Sequence, residues 1–250
     1  MNKIGSETTG STWNGLYRIG GAAALICALM YLITLGIYVP AYRAGPPPGT
    51  VLEWLTLFQV KPLTGLFFLG LADIIIMVLW GPMSLALYTA LKHFNKTWSM
   101  LATAFIFVGM AVYLATNTAF SMLSLSHQYA AATTEAEKSV LLAAGQAMIA
   151  ISEGTSGKLP LAWIAGLILS VVMLRSAVFS KATAWAGILG LGLLVASMPF
   201  AGYTTTGPTT AVVSAIVALT YIGGGLLSLA WYILVGLRLL KLGRTEAKKS

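Results

Sequence analysis

Asp73 is a carboxylate deep inside a long apolar run, where an ionisable side chain is least expected. The run covers residues 63–91 and is predicted to be a transmembrane helix, with Asp73 about ten residues inside it. A carboxylate at that depth costs roughly 2.5–3.5 kcal/mol. Asn117 lies about eight residues from the outer end of the next predicted span, so at 1.5 Å per residue both side chains are roughly 12–15 Å below the outer surface.

Three further polar side chains are predicted at a similar depth in the spans: Tyr31, Tyr113 and Thr220. The pattern predicts an outward-facing cavity around Asp73, with Asp73, Asn117 and these three residues as candidate ligand-binding residues. A desolvated carboxylate there suits proton coupling or a cationic ligand. The alternative is an interhelical hydrogen bond that fixes helix packing. In both cases we expect Asp73 to face the bundle interior, within hydrogen-bonding reach of Asn117, Tyr113 or Thr220.

No other group of residues predicts a catalytic, cofactor or metal site. Residues 154–158 (Gly-Thr-Ser-Gly-Lys) resemble the end of a phosphate-binding loop, but its first glycine is missing and Leu159 follows the lysine. His93 and His127 are predicted on opposite sides of the membrane, so they share no metal, and no histidine lies mid-span to bind haem. The single cysteine, Cys27, permits no internal disulfide. We expect no catalytic residue, cofactor or metal.

The composition is typical of an integral membrane protein. Hydrophobic residues make up 58% of the chain and charged residues 9%, whereas soluble domains carry about 25% charged residues. The predicted fold is all-α, a bundle of six transmembrane helices plus one or two interfacial or extracytoplasmic helices. A polar segment (1–16) and a basic tail (238–250) flank a single domain, 17–237, with spans at about 17–39, 63–91, 98–125, 159–179, 182–203 and 209–237.

Two shorter helices are predicted in the loops, each opened by a capping box. Thr50 and Glu53 have this spacing before a helix at 51–59, which we expect to lie on the membrane with Trp54 and Phe58 among the headgroups. A second box, at Thr134 and Glu137, opens an alanine-rich helix that continues to about residue 152. Its apolar face is predicted to pack on the bundle or the interface and consists of Val140, Leu141, Ala144, Met148 and Ile151.

Lysine and arginine are distributed unevenly across the predicted membrane, with eleven on the side of both termini and four on the other. The positive-inside rule then places both termini in the cytoplasm. We expect the protein to lie in the cytoplasmic (inner) membrane. The net charge of +8 comes from residues that meet lipid headgroups, and no basic face with interleaved aromatics indicates nucleic acid binding. The expected partner is the lipid bilayer.

Small residues recur at every fourth position in three of the predicted spans, a pattern that lets helices approach closely in lipid. Such faces permit packing within the chain or a homo- or hetero-oligomer. The three stripes are Gly20/Ala24/Ala28, Ala182/Ala186/Gly190 and Thr220/Gly224/Ser228.

Three segments carry a family resemblance: residues 141–146 (Leu-Leu-Ala-Ala-Gly-Gln), 172–181 (Val-Met-Leu-Arg-Ser-Ala-Val-Phe-Ser-Lys) and 183–187 (Thr-Ala-Trp-Ala-Gly). They resemble an uncharacterised family of bacterial multi-pass membrane proteins, defined only as a domain of unknown function, most strongly over residues 130–190. The resemblance implies a prokaryotic cytoplasmic membrane and a core of six or seven helices. It supplies no catalytic residue.

Two classes of function fit these features. The first, which the sequence favours, is a non-enzymatic protein: a sensor, a partner subunit, or a binder of a small amphipathic or lipid-like molecule in the outer half of the bundle. The second is a small transporter or channel that uses Asp73 for proton or cation coupling. A transporter is expected to have an internal repeat or paired broken helices. The sequence has one Gly-Pro break, at Gly81 and Pro82, and no convincing repeat.

Overall fold

The computed structural model describes residues 8–44, 48–154, 160–201 and 210–245, and within these ranges the chain forms helices and no strand. A helix satisfies its backbone polar groups internally, which apolar segments in lipid require. The helices are α1 (Thr8–Ala44), α2 (Val51–Val60), α3 (Pro62–Phe68), α4 (Leu71–Leu91), α5 (Lys96–Thr116), α6 (Ala119–Ala131), α7 (Glu135–Gly154), α8 (Pro160–Arg175), α9 (Lys181–Ala201) and α10 (Thr210–Thr245).

Five helical stretches in the described part of the chain are long and apolar enough to cross a membrane. This confirms the prediction of an all-helical membrane-type protein. The five are Trp13–Ile37, Leu71–Leu91, Lys96–Ala131, Lys181–Met198 and Ile222–Arg244.

The predicted fourth span, 159–179, corresponds to α8, which is shorter than expected and is not among the five. Its 16 residues make a helix about 24 Å long, less than the roughly 30 Å of a hydrocarbon core. The helix ends at Arg175 because the backbone N–H and the hydroxyl of Ser176 both donate to the carbonyl of Met173, at 3.1 and 3.0 Å. A count of six spans is therefore not confirmed.

Two of the predicted spans are not continuous helices. The stretch 63–91 is interrupted between α3 and α4, at Leu69 and Gly70, and the stretch 98–125 is interrupted between α5 and α6, at Asn117 and Thr118. Pro82, where we expected the break, lies inside α4.

The chain divides into two compact units, unit 1 (residues 1–29, 78–110 and 159–250) and unit 2 (30–77 and 111–158). In unit 2, the helices α2, α3, α6 and α7 form a four-helix cluster around an apolar core. The Ser126 hydroxyl crosses this core to donate to the Leu55 carbonyl at 2.8 Å. The core residues are Val51, Leu55, Phe58, Leu66, Ala119, Met122 and Leu125.

Both predicted capping boxes are present. The Thr50 hydroxyl accepts from the N–H of Glu53 at 3.2 Å, and the Glu53 carboxylate accepts from the N–H groups of Thr50 and Gly49. The Glu137 carboxylate likewise accepts from the N–H of Thr134 at 3.1 Å, and the Thr134 hydroxyl accepts from the N–H of Glu137 at 3.2 Å. Helices α2 and α7 therefore begin where the local sequence predicts.

The faces predicted for these two helices need correction. Phe58 is 1% exposed inside the four-helix cluster, so it does not lie among headgroups, and Trp54 packs edge-on against Phe68 with ring centroids 6.3 Å apart. In α7, Val140 and Ile151 are exposed. The residues of α7 that pack on the cluster core are Leu141, Leu142, Ala144, Met148 and Ile149. The core of the cluster, rather than the bilayer or bundle, selects these faces.

Unit 1 is held together by aromatic and small residues. The indole N–H of Trp80 donates to the hydroxyl of Tyr232 at 2.9 Å, and the ring of Trp231 lies 5.8 Å from that of Trp80. Small-residue faces are used here within the chain: a Cβ on Gly20 would lie 2.4 Å from that of Ala86, and one on Gly190 would lie 2.7 Å from the amide nitrogen of Ser228.

Basic residues gather at one end of unit 1. The start of α1 lies beside the end of α10, where a Cβ on Gly243 would lie 3.0 Å from the Cγ of Arg18. The ammonium of Lys92 lies 4.6 Å from the centroid of the Trp13 ring. Nearby on α10, Arg238 donates to the carbonyl of Val178, between α8 and α9. The start of α1, the end of α10 and the α4–α5 and α8–α9 connections thus lie together, and the sequence assigns all four to the same side of the membrane.

Candidate functional site

The break between α3 and α4 is built on Gly70, which has a φ of +91°. This region of backbone conformation favours glycine. The N–H of Gly70 donates to the carbonyl of Phe67 and closes α3, while its own carbonyl accepts from the N–H of Ile74 and starts α4. A Cβ on residue 70 would lie 2.2 Å from the hydroxyl oxygen of Tyr113, so the site also has no room for a larger residue.

Asn117 makes the break between α5 and α6 and joins it to the first break. Its side-chain oxygen accepts from the N–H of Ala119 at 3.0 Å, which caps the start of α6. Its amide nitrogen donates to the carbonyl of Leu69 at 3.0 Å, a carbonyl released by the end of α3. One side chain therefore satisfies backbone groups of both interrupted helices.

Tyr113 adds a second connection between the breaks, one turn earlier on α5. Its hydroxyl donates to the carbonyl of Gly70 at 3.3 Å and accepts from the amide of Asn117 at 3.3 Å. The Tyr113 side chain is buried. The irregular backbone of both breaks is thus paired with side chains rather than left exposed, as lipid surroundings require.

Asp73 lies in the first turn of α4, where the positive end of the helix dipole favours a carboxylate. It is half-buried, and the side chain of Tyr113 is within hydrogen-bonding reach of its carboxyl group. A Cβ on Gly70 would have both Asp73 Oδ2, at 3.5 Å, and Asn117 Nδ2, at 3.3 Å, among its nearest atoms. A carboxylate, a phenol, an amide and two backbone carbonyls thus surround Gly70. Within this set the carboxylate of Asp73 is the group that can take up a proton or contact a small cation, because the amide and the phenol donate to the two carbonyls.

The structure thus brings together three of the five candidate residues: Asp73, Asn117 and Tyr113. Tyr31 is half-buried in α1, within unit 2, and Thr220 is half-buried in α10, within unit 1. That Tyr31 and Thr220 belong to the same site stays a prediction. Ligand binding by Asp73, Asn117 and Tyr113 also stays a prediction.

Sequence reasoning missed the residues that shape the breaks. Gly70 is an isolated glycine within an apolar run, a signal that indicates a break or a close approach. Thr118 is buried, and its hydroxyl has no hydrogen-bond partner among the described residues. No local signal identifies it, because its environment is formed by tertiary packing.

The other side chains that could react or bind a metal do not form a second site in the described part of the chain. His93 and His127 are both exposed, and Cys27 is buried in α1. No group of three His, Cys, Asp or Glu side chains among the described residues is arranged to hold a metal. Residues 155–158 of the phosphate-loop-like segment lie outside the described residues.

Comparison with known protein families matches residues 19–243 to a domain of unknown function (DUF4386). Neither the curated proteins nor the solved structures contain a match to the chain. The family match covers all five membrane-length stretches apart from the first residues of α1 and the last of α10. It agrees with the resemblance seen in the sequence, and the chain belongs to the DUF4386 family.

Proposed function

We propose that this protein is a small cation-coupled transporter in which Asp73 binds a proton or a small cation. The single observation that carries the proposal is the pair of helix breaks that meet around Gly70 beside the Asp73 carboxylate. Binding of the cation changes the charge at the junction of the broken helices. That change biases the arrangement of the two breaks.

Paired broken helices are what distinguishes this function from the others that fit the sequence. In many transporters the binding site is formed by discontinuous membrane helices, whose freed backbone carbonyls and helix ends contact ion and substrate. Here the carbonyls of Leu69 and Gly70 accept from the side chains of Asn117 and Tyr113, and Asp73 supplies the charge. The paired interruptions at one carboxylate therefore favour a transporter over a sensor or a partner subunit.

For the topology we propose six crossings, with α8 as a short fourth span and both termini in the cytoplasm. Several buried residues of α8, including Leu169 and Met173, suit a helix packed inside the bundle. The gathering of Arg18, Lys92 and Arg238 at one end of unit 1 supports a common cytoplasmic side. With the sequence resemblance, this favours the inner membrane of a bacterium.

The function is tested by ion flux into proteoliposomes that contain the purified protein. Vesicles loaded with a pH-sensitive dye report proton movement, and radioactive sodium reports sodium uptake. We expect a protein-dependent flux of one of these ions, reduced by Asp73→Asn to the level of empty vesicles, because this change keeps the shape and removes the charge.

Glu135→Gln is the matched control, since Glu135 is an exposed carboxylate whose contact is an ion pair with Lys138 at 3.0 Å. It should leave the flux unchanged. A wild-type flux equal to that of empty vesicles, or a flux that survives Asp73→Asn, would contradict the proposal and favour the purely structural interpretation of Asp73.

A further inference from the structure

Helix α2 is apolar on two sides, and the four-helix cluster covers only one of them. Val51, Leu55 and Phe58 face the cluster core. On the outer side, Leu52 is 49% exposed and Val60 70% exposed, and the row continues at the start of α3 with Leu63, 67% exposed. A helix with apolar residues on both sides needs an apolar environment on both.

An open groove of about 670 Å³ runs along this outer side. The carboxylate of Glu53 on its wall is engaged with the backbone N–H groups of Gly49 and Thr50, at 2.7 and 3.2 Å. Lys61 is exposed at its far end. The groove is lined by Pro48, Leu52, Glu53, Thr56, Leu57, Val60 and Lys61.

We infer that the outer side of α2 and the start of α3 (Leu52, Thr56, Val60 and Leu63, here the outer row) lie in the headgroup–acyl boundary of the bilayer. The continuity of the chain supports lipid as the environment of the outer row. Lys61 is both the C-cap of α2 and the N-cap of α3, so the two helices follow each other directly. Helix α3 then leads through Gly70 directly into α4, a candidate membrane span.

The charges near the row fit the same occupant. An exposed lysine at the end of an apolar helix face suits anionic headgroups, with its stem along the acyl boundary. The packing against α6 and α7 decides which side of α2 does this. The side that faces lipid is the one opposite to Phe58, whereas the sequence analysis had placed Phe58 itself among the headgroups.

The inference is tested with single-cysteine variants carrying a nitroxide spin label. Cys27 is the only cysteine, so Cys27→Ala gives a background in which Leu52→Cys, Val60→Cys and Leu63→Cys each place one label on the outer row. The matched controls are Glu135→Cys and Gln128→Cys, at exposed polar positions of the same cluster. The protein is studied in bilayers of phosphatidylethanolamine and phosphatidylglycerol.

Labels on the outer row should be relaxed by oxygen, which concentrates in lipid, and protected from a water-soluble nickel complex, while the control labels show the reverse. Relaxation by the nickel complex at all three outer positions would place the row in water. Protection from both reagents would place it against a protein surface. Either result overturns the inference, which is independent of any ion binding at Asp73.

Discussion

At the scale of single residues, two side chains in the candidate site pair with backbone groups that the two helix breaks leave free. Asn117 caps α6 with its oxygen and closes α3 with its nitrogen, and Tyr113 reaches the carbonyl between them. A buried polar group that loses its partner costs roughly 1–3 kcal/mol. The site is therefore stabilised by hydrogen bonds within unit 2, whatever it binds.

Gly70→Ala should be strongly destabilising. An alanine at a φ of +91° pays about 1–2 kcal/mol for the left-handed backbone, and its Cβ would lie 2.2 Å from the hydroxyl oxygen of Tyr113. We expect a clear drop in the temperature of thermal unfolding in detergent.

Gly36→Ala is the control, because a Cβ on this helical glycine meets nothing within 4 Å. It should be neutral or slightly stabilising, since alanine favours a helix over glycine by about 0.5–1 kcal/mol. Equal stability of the two variants would mean that the break at Gly70 is not fixed.

At the scale of helices, the start of α7 depends on an exposed carboxylate. The N–H groups of Thr134 and Thr133 donate to Glu137 and hold the pKa of its carboxyl below the usual 4.5. Both donors are exposed and lie just before the first residue of α7, so without the carboxylate they would pair with water and the start of the helix would be less well fixed.

This capping box predicts a local pH dependence. Because the pKa of Glu137 is lowered in the folded state, its stabilisation is fully present above pH 4.5 and is lost as the pH falls through the lowered value. Hydrogen exchange, corrected for its intrinsic pH dependence, should show the first turn of α7 opening more readily in acid. Glu137→Gln should remove most of this dependence, whereas Glu135→Gln should retain it. A first turn whose opening does not change with pH would contradict the prediction.

At the scale of the whole molecule, the number of crossings decides which ends share a compartment. Along the chain, α2 and α3 lie between α1 and α4, and α6 and α7 lie between α5 and α8. Because α8 is shorter than a typical span, the count of six crossings depends on whether α8 crosses the membrane.

Reporter fusions test this topology. Fusions at residues 95 and 250 should report a cytoplasmic location, and fusions near residues 48 and 145 an external one, since eleven of fifteen basic residues then lie inside. A cytoplasmic signal at residue 145 would rule out the six-span arrangement.

The sequence by itself determined the features that depend on local patterns. Apolar runs gave the membrane class because a bilayer selects for length and composition alone. The boxes at Thr50–Glu53 and Thr134–Glu137 predicted two helix starts, because each involves only residues within one turn. Asp73 and Asn117 were identified from the cost of polar groups in hydrocarbon, which does not depend on their neighbours.

Only the tertiary structure decided how those elements are interrupted and which faces they bury. The breaks at Gly70 and Asn117 depend on each other through two hydrogen bonds. The bonded residues are separated by 43 positions in one bond and by 48 positions in the other. Each segment alone reads as a continuous apolar helix. Likewise α2 is apolar on both sides, so its own sequence could not choose between them. The packing of Phe58 against α6 and α7 makes that choice, because the core of the cluster is filled by side chains that are distant in sequence.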